Sequence, residues 1–214
     1  MENFKTTNVY NVVILDQSGS MFDIKREAIN GYNETLQTIQ AAQRKHAGTQ
    51  NHFVTLVVFN SVSVRTVYDR IACGQAVELS DNNYRPQACT PLFDAMGATL
   101  SKLRDMLDAE TGYDVLVTII TDGMENDSKE YGIEHINRLV SELTELGWMI
   151  TYIGANHDVK AFTQSISIPN ALSFVSSERG TRDMFAKVRT CRTSHYERIA
   201  NSLGKKLTSD FFEE

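Results

Sequence analysis

Two apolar runs in this sequence end on an aspartate. Val12–Leu15 (VVIL) leads into Asp16-Gln17-Ser18-Gly19-Ser20, and Val115–Thr121 (VLVTIIT) leads into Asp122-Gly123. If both runs are strands of an open α/β sheet, both carboxylates face the rim beyond the strand C-termini, where such sheets bind ligands. Neighbouring carboxylates repel unless a cation or a shared proton compensates. A hard divalent cation answers that repulsion, and Ser18 and Ser20 add hydroxyl oxygens of the kind it accepts. Gly19 between them is expected to let the backbone turn both hydroxyls inward. Thr90 precedes Pro91 at a predicted helix start, which exposes its hydroxyl at the helix N-terminus. Alone, a Thr-Pro start reads as a helix cap. Beside the other four residues it completes an oxygen set: Asp16, Ser18, Ser20, Thr90 and Asp122.

The elements that must position these residues are legible as hydrophobic periodicity. Short continuous apolar runs mark strands buried on both faces. They are Val9–Leu15, Phe53–Phe59, Val115–Ile120, Met149–Ile153 and Leu172–Val175. Between them, Ile24, Ala28, Ile29, Tyr32, Leu36 and Ile39 recur at helical spacing, as do Leu92, Met96, Leu100, Leu103 and Leu107. A third helix carries Ile133, Ile136, Leu139, Val140, Leu143 and Leu146, and stops at Gly147. Strands alternating with helices of this length predict right-handed crossovers on a parallel sheet. Val62–Tyr68 departs from this: Asn60-Ser61 is too short a connection for anything but an antiparallel neighbour, so an edge strand is expected there. Residues 73–89 match no element. A last amphipathic helix is predicted over about 181–204, with Met184, Phe185, Val188, Cys191, His195, Ile199 and Leu203 on one stripe. His195 on that stripe reads as a packed histidine.

The bulk properties agree with a globular protein. The 214 residues are 42% hydrophobic and 22% charged, so a single domain spanning 1–214, with a core over about 8–176, is expected. A net charge of −6 disfavours binding to nucleic acid or to an anionic membrane. The charge is uneven: residues 178–206 carry eight Lys/Arg against three acids, which leaves −11 elsewhere. That segment reads first as a solvated helix face, and second as a docking surface for an acidic partner. No apolar run approaches the ~20 residues that a membrane-spanning helix needs, and the N-terminal MENFKTTNVYN has no leader pattern. Three widely spaced cysteines suggest neither a disulfide framework nor a zinc site, so a reducing cytoplasm is the expected location.

Asp16-Gln17-Ser18-Gly19-Ser20 resembles the DxSxS motif of the von Willebrand factor A-type domain. Cys89-Thr90-Pro91-Leu92 is similar to that family's threonine loop, and Ile120-Thr121-Asp122-Gly123 to its aspartate loop. The order agrees, and the resemblance covers nearly the whole chain. It implies a doubly wound, Rossmann-like open α/β sheet, mostly parallel with one antiparallel edge strand and helices on both faces. It also implies a metal ion-dependent adhesion site. There the hydroxyls of Ser18, Ser20 and Thr90 would touch the cation, while Asp16 and Asp122 act mostly through water or hydrogen bonds. Mg²⁺ is the expected ion, with Mn²⁺ and Ca²⁺ as the other candidates. Few direct negative ligands would leave the ion electrophilic with one open position, suited to an Asp or Glu of a partner protein. Intracellular members of the family work beside AAA+ ATPases, so such a complex is a candidate partner. In some members the last helix moves on ligand binding, and residues 182–203 could do so here.

Other chemistries fit less well. A haloacid dehalogenase-type phosphatase needs a second carboxylate where Ser18 stands. DQSGSM lacks the glycine pattern of a dinucleotide site. A serine nucleophile would need a base, for which only His157 offers itself, and that residue reads as an ordinary loop histidine. Asp158 beside it reads as a helix cap. The remaining alternative is a metal-dependent hydrolase or phosphotransferase using the same cation, with Glu125 or Asp127 as base.

Overall fold

The computed structural model describes residues 6–201 and 211–212. Six strands form one sheet: β1 (Thr7–Asp16), β2 (Gln50–Asn60), β3 (Ser63–Ala72), β4 (Tyr113–Thr121), β5 (Met149–Gly154) and β6 (Asn170–Ser173). Their spatial order is β3-β2-β1-β4-β5-β6. Five strands are parallel, and β3 runs antiparallel to β2 at the edge, as the short turn at Ser61–Val62 requires.

Alternation along each strand decides which core each side chain enters. Val9, Val13 and Leu15 of β1, with Leu116 and Ile120 of β4, pack against α1 (Lys25–Lys45) and α5 (Glu178–Asn201). Tyr10, Val12 and Ile14, with Val115, Val117 and Ile119, pack on the other face against α2 (Leu92–Leu107) and α3 (Ile133–Glu145), near the short α4 (Val159–Ser165). Both faces of the central strands are covered, which is why they read as unbroken apolar runs. No helix among the described residues is long and apolar enough to cross a membrane.

Several expectations shift on inspection. β6 occupies Asn170–Ser173 and not Leu172–Val175, because it pairs from Thr151↔Asn170 to Gly154↔Ser173 and then leaves the sheet. The last helix begins at Glu178, and Leu203, Lys205 and Lys206 lie outside the described residues. Arg192, counted above with a solvated basic face, is fully buried. Asn11 of β1 and Thr118 of β4 stand on the α5 side of the sheet. The Arg192 guanidinium donates to Asn11 Oδ1 at 3.3 Å, Thr118 Oγ1 at 2.6 Å and Tyr196 Oη at 3.2 Å. His195 is buried as predicted, with Nε2 3.0 Å from Asp114 Oδ1.

The unassigned stretch is a 3₁₀ turn at Cys73–Gln75 followed by irregular chain. Its order comes from tertiary bonds. Leu79 exchanges backbone hydrogen bonds with the Asn33 side chain of α1 at 2.7 and 3.0 Å, and Tyr84 is fully buried.

Candidate metal centre

The parallel register sets the carboxyl ends of β1 and β4 side by side, with Leu15 opposite Ile120. Asp16 and Asp122 therefore emerge at one rim, as the sequence requires of a cation site. Asp16 is fully enclosed. Its Oδ1 accepts the Ser18 N–H at 2.6 Å and its Oδ2 accepts the Thr121 hydroxyl at 2.6 Å, while the Tyr84 hydroxyl donates to its backbone carbonyl at 2.5 Å. Both carboxylate oxygens are thus engaged from within the chain. The first bond closes the turn that carries Ser18, so Asp16 shapes the loop as well as charging it.

Ser18 and Ser20 follow at the start of a 3₁₀ segment, Gly19–Ile24. Their hydroxyl oxygens are 3.1 Å apart, and Ser20 Oγ donates to Asp122 Oδ1 at 2.5 Å. Ser18 is buried and Ser20 is exposed, so the pair sits at the boundary between the core and solvent. Gly19 does not take the left-handed backbone conformation that its flexibility suggested; its N–H donates to the Ala88 carbonyl at 2.9 Å, which ties the loop to the segment before Thr90.

Thr90 is buried just before α2, whose N-cap is Pro91; the Thr90 side chain does not cap the helix. It turns instead toward Gly123. A methyl group placed on Gly123 would lie 3.5 Å from both Thr90 Oγ1 and Ser20 Oγ. Ser18, Ser20, Thr90 and Asp122 are thereby brought together at the rim, and Asp16 lies beneath them, tied to the loop through Ser18 N; four of the five are buried and Ser20 is exposed.

Burial pushes the Asp16 carboxyl up to about 6, against the counter-pull of the Thr121 and Ser18 hydrogen bonds. Burial also raises Asp122, opposed by the Ser20 and Ser176 hydroxyls. Two carboxyls held above their usual range beside the Ser18, Ser20 and Thr90 hydroxyls form a set that a cation would satisfy better than protons do. Among the described residues no group of three or more His, Cys, Asp or Glu comes together. A metal bound here would rest on hydroxyls backed by two carboxylates.

Several residues that build the rim carried no sequence signal. Asn126 Oδ1 accepts the Thr90 N–H at 2.8 Å, and the Asn126 N–H donates to the Thr90 carbonyl at 3.1 Å. This exchange joins the aspartate loop to the threonine loop. Glu125, weighed above as a catalytic base, accepts from Phe93 N, Asp127 N, Ser128 N and Ser128 Oγ at 2.7–2.9 Å, so it clips its own loop to the start of α2. Asn156 Nδ2 donates to the Asp122 carbonyl at 3.1 Å, and Ser176 Oγ lies 3.4 Å from Asp122 Oδ2. His157 is occupied by Tyr152 Oη and the Ala155 carbonyl, and Asp158 caps α4 through Ala161 N, both as loop roles predict.

No protein-family model matches the sequence, and no curated relative is found for it. Solved structures do match. Proximal thread matrix protein 1 of the mussel byssus aligns with a TM-score of 0.56 at 12% identity, over 87% of this chain and 46% of its own. The same protein with a zinc occupied MIDAS motif gives 0.56 at 14% identity, covering 88% and 46%. The manganese-loaded TRAP protein of Plasmodium vivax gives 0.53 at 16% identity, covering 84% and 71%. The chain spans less than half the length of the mussel protein, and at these identities the likeness is one of fold. With its strand order, its antiparallel edge and these likenesses, the chain has the von Willebrand factor A-type fold.

Proposed function

We propose that this protein is a metal-dependent binding module, in which a cation held by Ser18, Ser20 and Thr90, backed by Asp16 and Asp122, captures an Asp or Glu of a partner protein. The observation that carries this reading is the engagement of the carboxylates. Asp16 spends both oxygens on Ser18 N and Thr121 Oγ1, and Asp122 accepts the Ser20 proton. A cation resting on neutral hydroxyls keeps its positive charge and supplies a Lewis-acidic position for an outside carboxylate. The structural neighbours that carry zinc or manganese support a divalent ion. Mg²⁺ is the ion we assign, on the family resemblance and the all-oxygen donor set, with Mn²⁺ and Ca²⁺ as the other candidates.

The competing hydrolase reading needs a free carboxylate base; Glu125 is consumed by four hydrogen bonds, which leaves Asp127 as the only remaining one of its two candidates. A cytoplasmic location fits the three free cysteines, one of them exposed. An AAA+ ATPase complex is the partner class carried over from the family resemblance, and neither nucleic acid nor membrane is proposed as a partner. The test pairs two measurements on wild type and Asp16→Ala. Mn²⁺ titration should give one site that the variant loses. A partner captured from source-cell lysate in Mg²⁺ should disappear both with EDTA and with the variant, and partners indifferent to both would reject metal-bridged recognition.

A further inference from the structure

Nine large apolar side chains among the described residues are exposed, and singly scattered ones need no explanation. Four of them are not scattered. Phe22 (68% exposed) follows Ser20 by two residues, and Met124 (57%) follows Asp122 by two. Val175 (72%) adjoins Ser176, whose hydroxyl lies 3.4 Å from Asp122 Oδ2. Val62 (70%) adjoins Ser61, which exchanges hydrogen bonds with Cys89, the neighbour of Thr90, at 3.0 Å in each direction. Four loops after four strand ends thus each carry one exposed apolar side chain, one or two residues from a cradle residue or from one hydrogen-bonded beside it.

None of the four sits where folding requires it. Each is followed or preceded by a buried or hydrogen-bonded residue that does the structural work: Met21 and Ile24 around Phe22, Glu125 after Met124, Ser176 after Val175, Asn60 and Ser61 before Val62. The charge at the centre is also informative. Asp16 and Asp122 are there already, and the charge of Asp23 bears on Asp122. A run of acids in a partner would face repulsion that one cation offsets only once.

Resting on the binding function proposed above, we infer that Phe22, Val62, Met124 and Val175 form a docking rim for a partner-protein segment in which a single carboxylate is flanked by apolar side chains. The carboxylate goes to the cradle and the flanks cover the rim, which excludes water from the polar contact in the manner of an interface core. A polyacidic segment is disfavoured by the same surface.

The test is selection of a random 12-residue phage-displayed peptide library on the purified protein in Mg²⁺, with elution by EDTA. Enriched peptides should carry one Asp or Glu with aliphatic or aromatic residues within about three positions, the reach of a strand-like segment across such a rim. The double variant Phe22→Ser/Met124→Ser should bind these peptides at least tenfold more weakly while its Mn²⁺ affinity stays within twofold of wild type. Enriched peptides with an acid but polar or polyacidic flanks, or an unchanged affinity in the double variant, would overturn the rim and leave the carboxylate reading standing. Recovery of no acidic peptide would overturn both. Self-association of the protein that the double variant abolishes would assign the rim to a second copy and also overturn the inference.

Discussion

Ser20 donates its hydroxyl proton to Asp122 across 2.5 Å, joining two residues 102 positions apart. The bond orients the remaining lone pairs of Ser20 away from Asp122 and toward the space that Thr90 also borders. A neutral amide in place of the carboxylate keeps the shape and removes the charge. Asp122→Asn is therefore expected to lower Mn²⁺ affinity by about 10- to 100-fold, the usual effect of losing a supporting carboxylate. Calorimetric titration checks this, and an affinity within threefold of wild type would remove Asp122 from the site.

Asn126 holds the threonine loop from across the rim. In Asn126→Ala the Thr90 N–H loses its acceptor, but the position is exposed and water can replace it. The stability cost should accordingly stay at about 1 kcal/mol, at the low end for an orphaned donor. Mn²⁺ affinity should fall about tenfold, because one of the two bonds that hold Thr90 to the aspartate loop is lost. Asn126→Asp, which keeps the acceptor, should restore most of it. Urea denaturation and Mn²⁺ titration of both variants separate the two effects.

The α1–α5 contact depends on Gly31. A methyl group there would meet ring atoms of Phe185 at 2.0–2.2 Å, so the ring or the helix must move. Overpacking of this kind costs about 1–3 kcal/mol, against a gain of about 1 kcal/mol for alanine over glycine within a helix. Gly31→Ala should thus destabilise the protein by up to about 2 kcal/mol net. Equilibrium denaturation measures it, and a stabilised variant would show that α5 does not lie as close as described.

Acid should weaken the fold through His52. Burial, followed by the charges of His46, Arg192 and His195, lowers its pKa to about 3. The ring is neutral in the fold, bonded to Gln50 Oε1 and close to Asn11 Nδ2, with Tyr196 edge-on. Above about pH 6.5 both folded and unfolded chains carry the neutral form and its contribution is intact. As pH falls from there toward 3, only the unfolded chain takes up the proton, so stability is lost. By pH 5 the loss is about 2 kcal/mol. Asp16, raised to about 6, works in the opposite sense between about pH 4 and 6, since the fold then holds the extra proton. Comparing wild type with His52→Gln cancels that term: wild type should lose about 2 kcal/mol more between pH 7 and 5. Equal losses would refute a neutral buried His52.

The central strands and the longer helices are readable in the sequence because they are doubly buried or amphipathic, whereas β6, short and only half-buried, is displaced by two residues. Val9–Leu15 and Val115–Ile120 lie on two-sided strands, and α2 spans Leu92–Leu107, the ends set by the periodicity. Residues 73–89 were opaque for the opposite reason. They have no period, and their order comes from partners far away, such as Asn33 for Leu79 and the Asp16 carbonyl for Tyr84. Arg192 was misread because helical periodicity places a side chain on a face without saying that the sheet opposite offers Asn11 and Thr118.

For the candidate cation site the division is similar. Position at strand ends brings Asp16 and Asp122 to one rim, since a carboxylate leaving a parallel strand can only reach that rim, while Ser18, Ser20 and Thr90 join the candidate set through their hydroxyls and the family resemblance. Their division of labour came from the tertiary structure alone. Which oxygens of Asp16 are spent, that Ser20 gives its proton to Asp122, and that Asn126 ties Thr90 to the aspartate loop depend on hydrogen-bond directions between segments brought together by the sheet register. Hydrogen bonds are short-ranged and directional, so a one-dimensional pattern can bring donors and acceptors to the same rim but cannot pair them.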